Sequence, residues 1–206
     1  MSKDLLIKNL IEDGYLKTPA IIEAFYKIDR IDFVPEELKE EAYGNYPLPI
    51  GYNQTISQPL TVAFMLELLE PKPGEKILDI GSGSGWQTAL LAQIVGEKGK
   101  VVTIEIIPEL VEMTKKNIAK YNFGEVVSVI EGDGSKGYEP LAPYDKIIAA
   151  AAVQEKIPAF WLSQLKLGGK IVTPVRNSIY LLEKTGPNEF SEKQYFGFNF
   201  VPLISD

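Results

Sequence analysis

Between Lys76 and Ala150 the chain alternates two kinds of apolar pattern. Lys76 to Ile80, Val101 to Glu105, Val126 to Glu131 and Tyr144 to Ala150 are short, nearly continuous apolar runs, the signature of strands buried on both faces. Between them, Trp86 to Val95 and Pro108 to Tyr121 carry apolar residues at helical spacing, with Pro108 suited to a first helical turn. This strand-helix rhythm predicts an α/β, doubly wound, Rossmann-like fold with a mostly parallel sheet. Gly168-Gly169 is expected to end a helix around Pro158 to Leu165, and Lys170 to Val175 to begin the next strand. Ile179 to Lys184 and Phe196 to Leu203 are strand-like runs separated by a Gly-Pro-Asn turn and no helix. They predict an antiparallel pair that completes a mixed sheet of about seven strands.

Ahead of this region the pattern is different. Ser2 to about Glu41 reads as helical, with apolar spacing in Leu5-Leu6-Leu10-Ile11 and Ile21-Ile22-Phe25-Ile28 and a helix start at Thr18-Pro19, which together predict an N-terminal helical cap. Tyr43 to Pro59, rich in Gly, Asn and Pro, reads as an ordered loop, and Leu60 to Leu69 as an amphipathic helix. A chain of 206 residues, 45% of them hydrophobic, suits one α/β domain, divided into a cap and loop (1–58) and a Rossmann-like core (59–206). No run approaches the roughly 18 to 20 apolar residues of a membrane span, and Met1-Ser2-Lys3-Asp4 does not open a signal peptide, so a cytoplasmic setting without membrane contact is expected. A net charge of -7 weighs against a nucleic-acid partner. With no cysteine and no histidine, disulfides, thiolate chemistry, imidazole metal sites and Ser-His triads are excluded, and no metal is expected. Carboxylates, hydroxyls, lysines and backbone dipoles remain for chemistry.

The most informative run is Ile77-Leu78-Asp79-Ile80-Gly81-Ser82-Gly83-Ser84-Gly85-Trp86, a buried strand that enters a glycine turn. Its spacing is G-x-G-x-G, one place short of the dinucleotide fingerprint, and Asp79 precedes the first glycine. S-adenosylmethionine fits such a corner: it has no pyrophosphate to seat, but its ammonium and sulfonium groups favour a nearby carboxylate. In a doubly wound sheet ligands sit beyond the carboxyl ends of the strands, and an acid stands at three of them in succession. Asp79 with Gly81, Ser82 and Gly83 follows the first strand, Glu105 with Ile106 ends the second, and Asp133 with Gly134 follows the third. Glu105 is placed to accept both hydrogen bonds of a ribose diol, and Asp133 with the Gly134 backbone to read an adenine edge. Taken singly, such an acid is equally a loop residue or helix cap; the ordered set selects S-adenosylmethionine as cofactor and S-adenosylhomocysteine as product. The strand ending in Ala149-Ala150-Ala151-Ala152 lacks the acceptor and stacking face needed to methylate a base amine. Ser57 has two readings, as the N-cap of the following proline-started helix or as a hydroxyl between cofactor and acceptor.

Leu48-Pro49-Ile50-Gly51, Gln54-Thr55-Ile56-Ser57-Gln58-Pro59, the glycine turn, Gly132-Asp133-Gly134, Ala142-Pro143-Tyr144-Asp145 and Val201-Pro202-Leu203 together resemble the protein-L-isoaspartate O-methyltransferase family, from about Phe33 to Leu203. The resemblance implies methyl transfer from S-adenosylmethionine to the free carboxylate of L-isoaspartyl residues in damaged proteins and peptides. A monomer is expected. It implies a catalytic role for Ser57 and cofactor contacts from Asp79, Gly81, Gly83, Glu105, Asp133 and Gly134. It also implies an isoaspartyl pocket bordered by Thr55, Ile56, Ser57 and Val201. Two departures stand out: Arg176-Asn177-Ser178 leads directly into Ile179 where the family commonly has a longer glycine-containing turn, and Ile204 follows Val-Pro-Leu where some members have a hydroxyl residue. An isoaspartyl carboxylate, with a reference pKa of about 3.5 to 4, is already ionised at neutral pH, so the chemistry requires no histidine base. Two alternatives keep the cofactor: methylation of a small-molecule acceptor, and a catalytically idle binding module.

Overall fold

The protein is described here by a computed structural model covering residues 1–205. Its elements are α1 (Lys3–Glu12), α2 (Pro19–Lys27), β1 (Leu48–Gly51), β2 (Gln54–Ile56), α3 (Pro59–Leu69), β3 (Lys76–Ile80), α4 (Trp86–Val95), β4 (Lys100–Glu105), α5 (Pro108–Ile118), β5 (Val127–Glu131), β6 (Tyr144–Ala149), α6 (Ala159–Gln164), β7 (Leu165–Val175), β8 (Ser178–Gly186) and β9 (Glu189–Phe196). The main sheet has seven strands in the order β5-β4-β3-β6-β7-β8-β9. Neighbours from β5 to β7 are parallel, and β8 and β9 are antiparallel. β3 and β4 are buried along almost their whole length, as their continuous apolar runs predict, because helices cover both faces. The strand order reverses at β3, between β4 and β6, so a crevice opens beyond their carboxyl ends.

Several boundaries differ from the sequence expectation, each for a local physical reason. Past α2, the predicted helical stretch breaks into short 3-10 turns at Arg30–Phe33 and Glu36–Glu41. Within the predicted loop at Tyr43 to Pro59, β1 and β2 form a hairpin whose central residues Tyr52 and Asn53 both take positive φ, 54° and 57°, as a type I′ turn requires. α3 is buried on most of its surface rather than amphipathic, since it packs against α2, β7 and β8. Gly168 and Gly169 do not end a helix; α6 stops at Gln164, and the glycines lie inside β7 where its register with β6 shifts. A Cβ on Gly169 would lie 2.8 Å from the Asp145 carbonyl oxygen, so no larger residue fits that bulge.

The predicted strand over Phe196 to Leu203 is absent. The last strand is β9, a polar edge whose exposed residues carry little hydrophobic signal. At Gly197, with φ 96°, the chain leaves the sheet and returns across the crevice. There the Ala152 amide donates to the Val201 carbonyl (2.8 Å) and the Leu203 amide to the Ala152 carbonyl (2.8 Å), strapping the tail over the end of β6.

The helical cap shares one core with the sheet. Ile21, Phe25 and Ile28 are buried together with Trp86 and Leu90 of α4, and Phe25 meets the Trp86 ring edge-on at 5.6 Å. The glycine turn is fixed from beneath by Asp79, which is wholly buried. Its carboxylate accepts hydrogen bonds from Gln87 Nε2 (2.8 Å), Thr88 Oγ1 (2.6 Å) and Thr103 Oγ1 (3.2 Å), tying β3 to β4 and to the first turns of α4. Burial pushes the Asp79 carboxyl up from 3.8 to about 6; the three hydrogen bonds oppose the shift and nearby Glu105 adds to it. The native state therefore holds this proton more tightly than the unfolded chain. The stabilisation from this group is full below about pH 4 and is lost as pH rises through about 6, a span of about 3 kcal/mol. Urea unfolding of wild type and Asp79→Asn over that range checks this: wild type should lose stability relative to the variant as pH rises, whereas parallel curves contradict it.

Candidate active site

The crevice holds a cavity of about 770 Å³, counting its open mouth. Gly81, Gly83 and Gly85 all take positive φ, at 81°, 53° and 87°, so the turn needs the freedom that glycine has. The turn is braced from α5. Thr114 Oγ1 donates to the Gly83 carbonyl (3.0 Å) and sits 2.8 Å from Ser82 Oγ, which leaves Ser82 as donor in that pair. Asn117 Nδ2 donates to the Ser84 carbonyl (2.9 Å). A Cβ on Gly85 would approach Thr114 Cγ2 to 3.3 Å, so glycine also permits this close helix contact.

Glu105 stands in the cavity wall at the end of β4, 6% exposed. One carboxylate oxygen accepts from the Gly83 amide (2.9 Å), and the other accepts from the amides of Ile106 (2.9 Å) and Ile107 (3.1 Å). These charge-assisted bonds lock the carboxylate to the glycine turn. Gly81, Ser82, Gly83, Glu105, Ile106 and Gly134 all line the cavity. At Gly134 an added Cβ would fall 2.5 Å from Ile80 Cγ2, so only glycine lets this backbone lie against the end of β3.

Two of the predicted cofactor residues stand behind this wall. Asp79 is spent on α4 and β4, as described above, and does not line the cavity. Asp133 accepts from the Ser135 amide (2.9 Å) and pairs with Lys136 (3.2 Å), and it too is absent from the lining. Both acids shape backbone that faces the cavity. A strand-end acid can face either way, and the one-dimensional pattern carries no signal for which.

The opposite wall is formed by Thr55, Ile56, Ser57 and the returning tail at Val201. Beyond it lies a second cavity, which reaches Pro47, Phe198 and Phe200. Thr55, Ser57, Ala150 and Val201 border both cavities, so the two adjoin there. Ser57 is not a helix cap. Gln58 holds the N-cap position of α3 without a side-chain cap bond, and Asn45 Oδ1 accepts from the Leu60 amide (3.0 Å) instead. Among the described residues the Ser57 hydroxyl has no hydrogen-bond partner, while its carbonyl accepts from Arg30 Nη2 (3.2 Å). Thr114, Asn117, Asn45 and Arg30 were missed from the sequence. Thr114 and Asn117 had a readable signal, being polar residues on the buried face of an amphipathic helix beside Leu110, Val111 and Ile118.

The donor set suits S-adenosylmethionine. The glycine backbone allows close approach, and the fixed Glu105 carboxylate, with three of its roughly four acceptor sites taken by backbone amides, keeps one for a ribose hydroxyl. Ile104, Ile106 and Ile107 supply an apolar side for a base. Comparison with known proteins agrees. The family model described as Protein-L-isoaspartate(D-aspartate) O-methyltransferase (PCMT) matches residues 1–206. The chain is 43% identical to the protein-L-isoaspartate O-methyltransferase of Methanopyrus kandleri over 209 residues, covering 100% of this chain and 92% of that one. It is 46% identical to that of Ignicoccus hospitalis over 206 residues, covering 98% and 96%. A crystal structure of a Plasmodium falciparum chain in complex with S-adenosyl-L-homocysteine shares the fold, with TM-score 0.89 over 100% of both chains at 22% identity. A solved protein-L-isoaspartate O-methyltransferase aligns at TM-score 0.88 and 27% identity over 98% of this chain and 65% of that one. The chain therefore belongs to the protein-L-isoaspartate(D-aspartate) O-methyltransferase family, the S-adenosylmethionine-dependent enzymes of protein repair by carboxyl methylation.

Proposed function

We propose that the two cavities divide the labour of isoaspartyl carboxyl methylation. Glu105, the glycine turn and Gly134 hold the cofactor on one side, the cleft beyond Thr55 and Val201 receives the peptide on the other, and Ser57 faces the exchange. The observation that carries this reading is the shared border, where the Ser57 hydroxyl, unpartnered among the described residues, lines both spaces. Bound S-adenosylmethionine supplies a methyl group on a sulfonium, which an already ionised carboxylate can accept without a protein base. Ser57 donates one hydrogen bond to that carboxylate and fixes its direction. A single donor suits the task, because several would hold the anion's lone pairs and slow its attack. Alignment of this kind contributes roughly 7 to 11 kcal/mol to bimolecular reactions, far more than any one hydrogen bond here.

Aspartyl side chains are carboxylates too, so geometry has to discriminate. We assign that role to the backbone of the β2 end and of the tail at Val201, which can grip an extended peptide by its main chain and tolerate varied flanking side chains. We place its action, as a monomer, on damaged proteins in the cytoplasm. Among the described residues no helix is long and apolar enough to cross a membrane.

Ser57→Ala should lower kcat/KM on an isoaspartyl peptide about ten- to a hundredfold, the loss of a hydrogen bond of about 1.5 to 3 kcal/mol to a charged group. Its affinity for S-adenosylhomocysteine should stay at the wild-type value in calorimetric titration; undiminished turnover contradicts the assignment. Glu105→Gln places an amide N–H against backbone donors and should weaken S-adenosylhomocysteine binding at least about tenfold. Unaltered affinity in the same titration would remove Glu105 from the site. A radiolabelled methyl-transfer assay on matched peptides should show turnover of the isoaspartyl form and essentially none of its aspartyl twin, and equal rates would defeat the geometric account.

A further inference from the structure

Arg30 touches both halves of the site from outside, at the Ser57 carbonyl and at the Trp86 ring. It lies in the 3-10 turn after α2 and is buried, at 2% exposed. Among the described residues it enters no ion pair, and its hydrogen bonds all go to main-chain carbonyls. Nη1 donates to Ala42 (2.6 Å) and Gly44 (3.4 Å), and Nη2 to Tyr46 (3.1 Å) and Ser57 (3.2 Å). The guanidinium carbon sits 5.3 Å from the centre of the Trp86 ring, and Trp86 both starts α4 directly after the glycine turn and lines the cofactor cavity.

A charge buried in this way is a poor stabilising device. Burial lowers the Arg30 pKa to about 10, and among the described residues its Nε has no acceptor and no carboxylate offsets the desolvation. The arrangement is a fixed spacer. One planar fork holds the 42–46 segment and the Ser57 carbonyl at a set distance from the indole that backs the cofactor cavity.

We infer that Arg30 is a positioning residue for methyl transfer, setting where the Ser57 hydroxyl stands relative to the cofactor by clamping the Ser57 carbonyl to the Trp86 face. The inference rests on the reading of Ser57 as the group that orients the acceptor. A lysine keeps the charge but reaches these carbonyls as a point rather than a fork, so Ser57 would shift while the glycine turn, held by Glu105 and α5, would not.

A double-mutant cycle tests this. Arg30→Lys should lower kcat on an isoaspartyl peptide about tenfold or more, since small misplacements in an aligned reaction are costly, and should change S-adenosylhomocysteine affinity less than about twofold. In the Ser57→Ala background the same substitution should cost less than about twofold, because the hydroxyl it positions is gone. A merely structural Arg30 would lower both backgrounds equally, and that result overturns the inference, as does full kcat in Arg30→Lys while Ser57→Ala is slow. Wild-type turnover of Ser57→Ala alone would instead overturn the reading of Ser57, and this inference with it. Arg30→Gln, which retains donors without the charge, takes the same cycle if Arg30→Lys does not fold. Loss of cofactor binding in both variants would assign Arg30 to architecture and reject the positioning role.

Discussion

A glycine turn has no side chains with which to hold itself still, and this site depends on the groups that hold it. The Glu105 carboxylate takes hydrogen bonds from Gly83 on one oxygen and from Ile106 and Ile107 on the other, so the turn and the end of β4 move as one piece. Thr114 and Asn117 fix the carbonyls of Gly83 and Ser84 from α5. Beneath them Asp79 ties α4 to β3 and β4. The turn is thereby pre-organised to meet a ligand with backbone alone, and each brace is a buried polar group with its partners satisfied.

The acceptor side is built on another principle. Its wall comes from segments distant in sequence: the β2 end with Ser57, the end of β6 at Ala150, and the tail at Val201 that Ala152 straps down. Main-chain hydrogen bonds and a buried guanidinium hold these pieces, leaving the Ser57 hydroxyl, capping nothing, available for a ligand. An enzyme without histidine suits a reaction in which the nucleophile arrives ionised, and the burden falls on placement.

What was legible in the sequence follows from which forces are local. β3, β4 and β6 announce themselves because strands buried on both faces are apolar throughout, and Gly81, Gly83 and Gly85 because only glycine takes those φ values freely. β9 was invisible because an exposed polar edge strand is defined by its partner rather than by its own residues. The Tyr52-Asn53 hairpin lacked the usual glycine, and the Gly168-Gly169 pair marked a bulge where the same residues equally suit a helix end. At the site, Glu105 and Gly134 line the cavity as expected, whereas the inward turn of Asp79 and Asp133 depends on α4 and on a local 3-10 turn. Arg30 carried no signal, since its partners are carbonyls that every residue has.

The central claim is that a backbone-walled cofactor cavity and a peptide cleft meet at the Ser57 hydroxyl. A crystal structure with S-adenosylhomocysteine and an isoaspartyl peptide bound together tests it most directly. The account predicts the ribose against Glu105, the peptide between Thr55 and Val201, and a carboxylate oxygen within hydrogen-bond distance of Ser57 Oγ, facing the sulfur. A carboxylate bound away from Ser57, or a cofactor seated outside the Gly81–Gly85 turn, would contradict it.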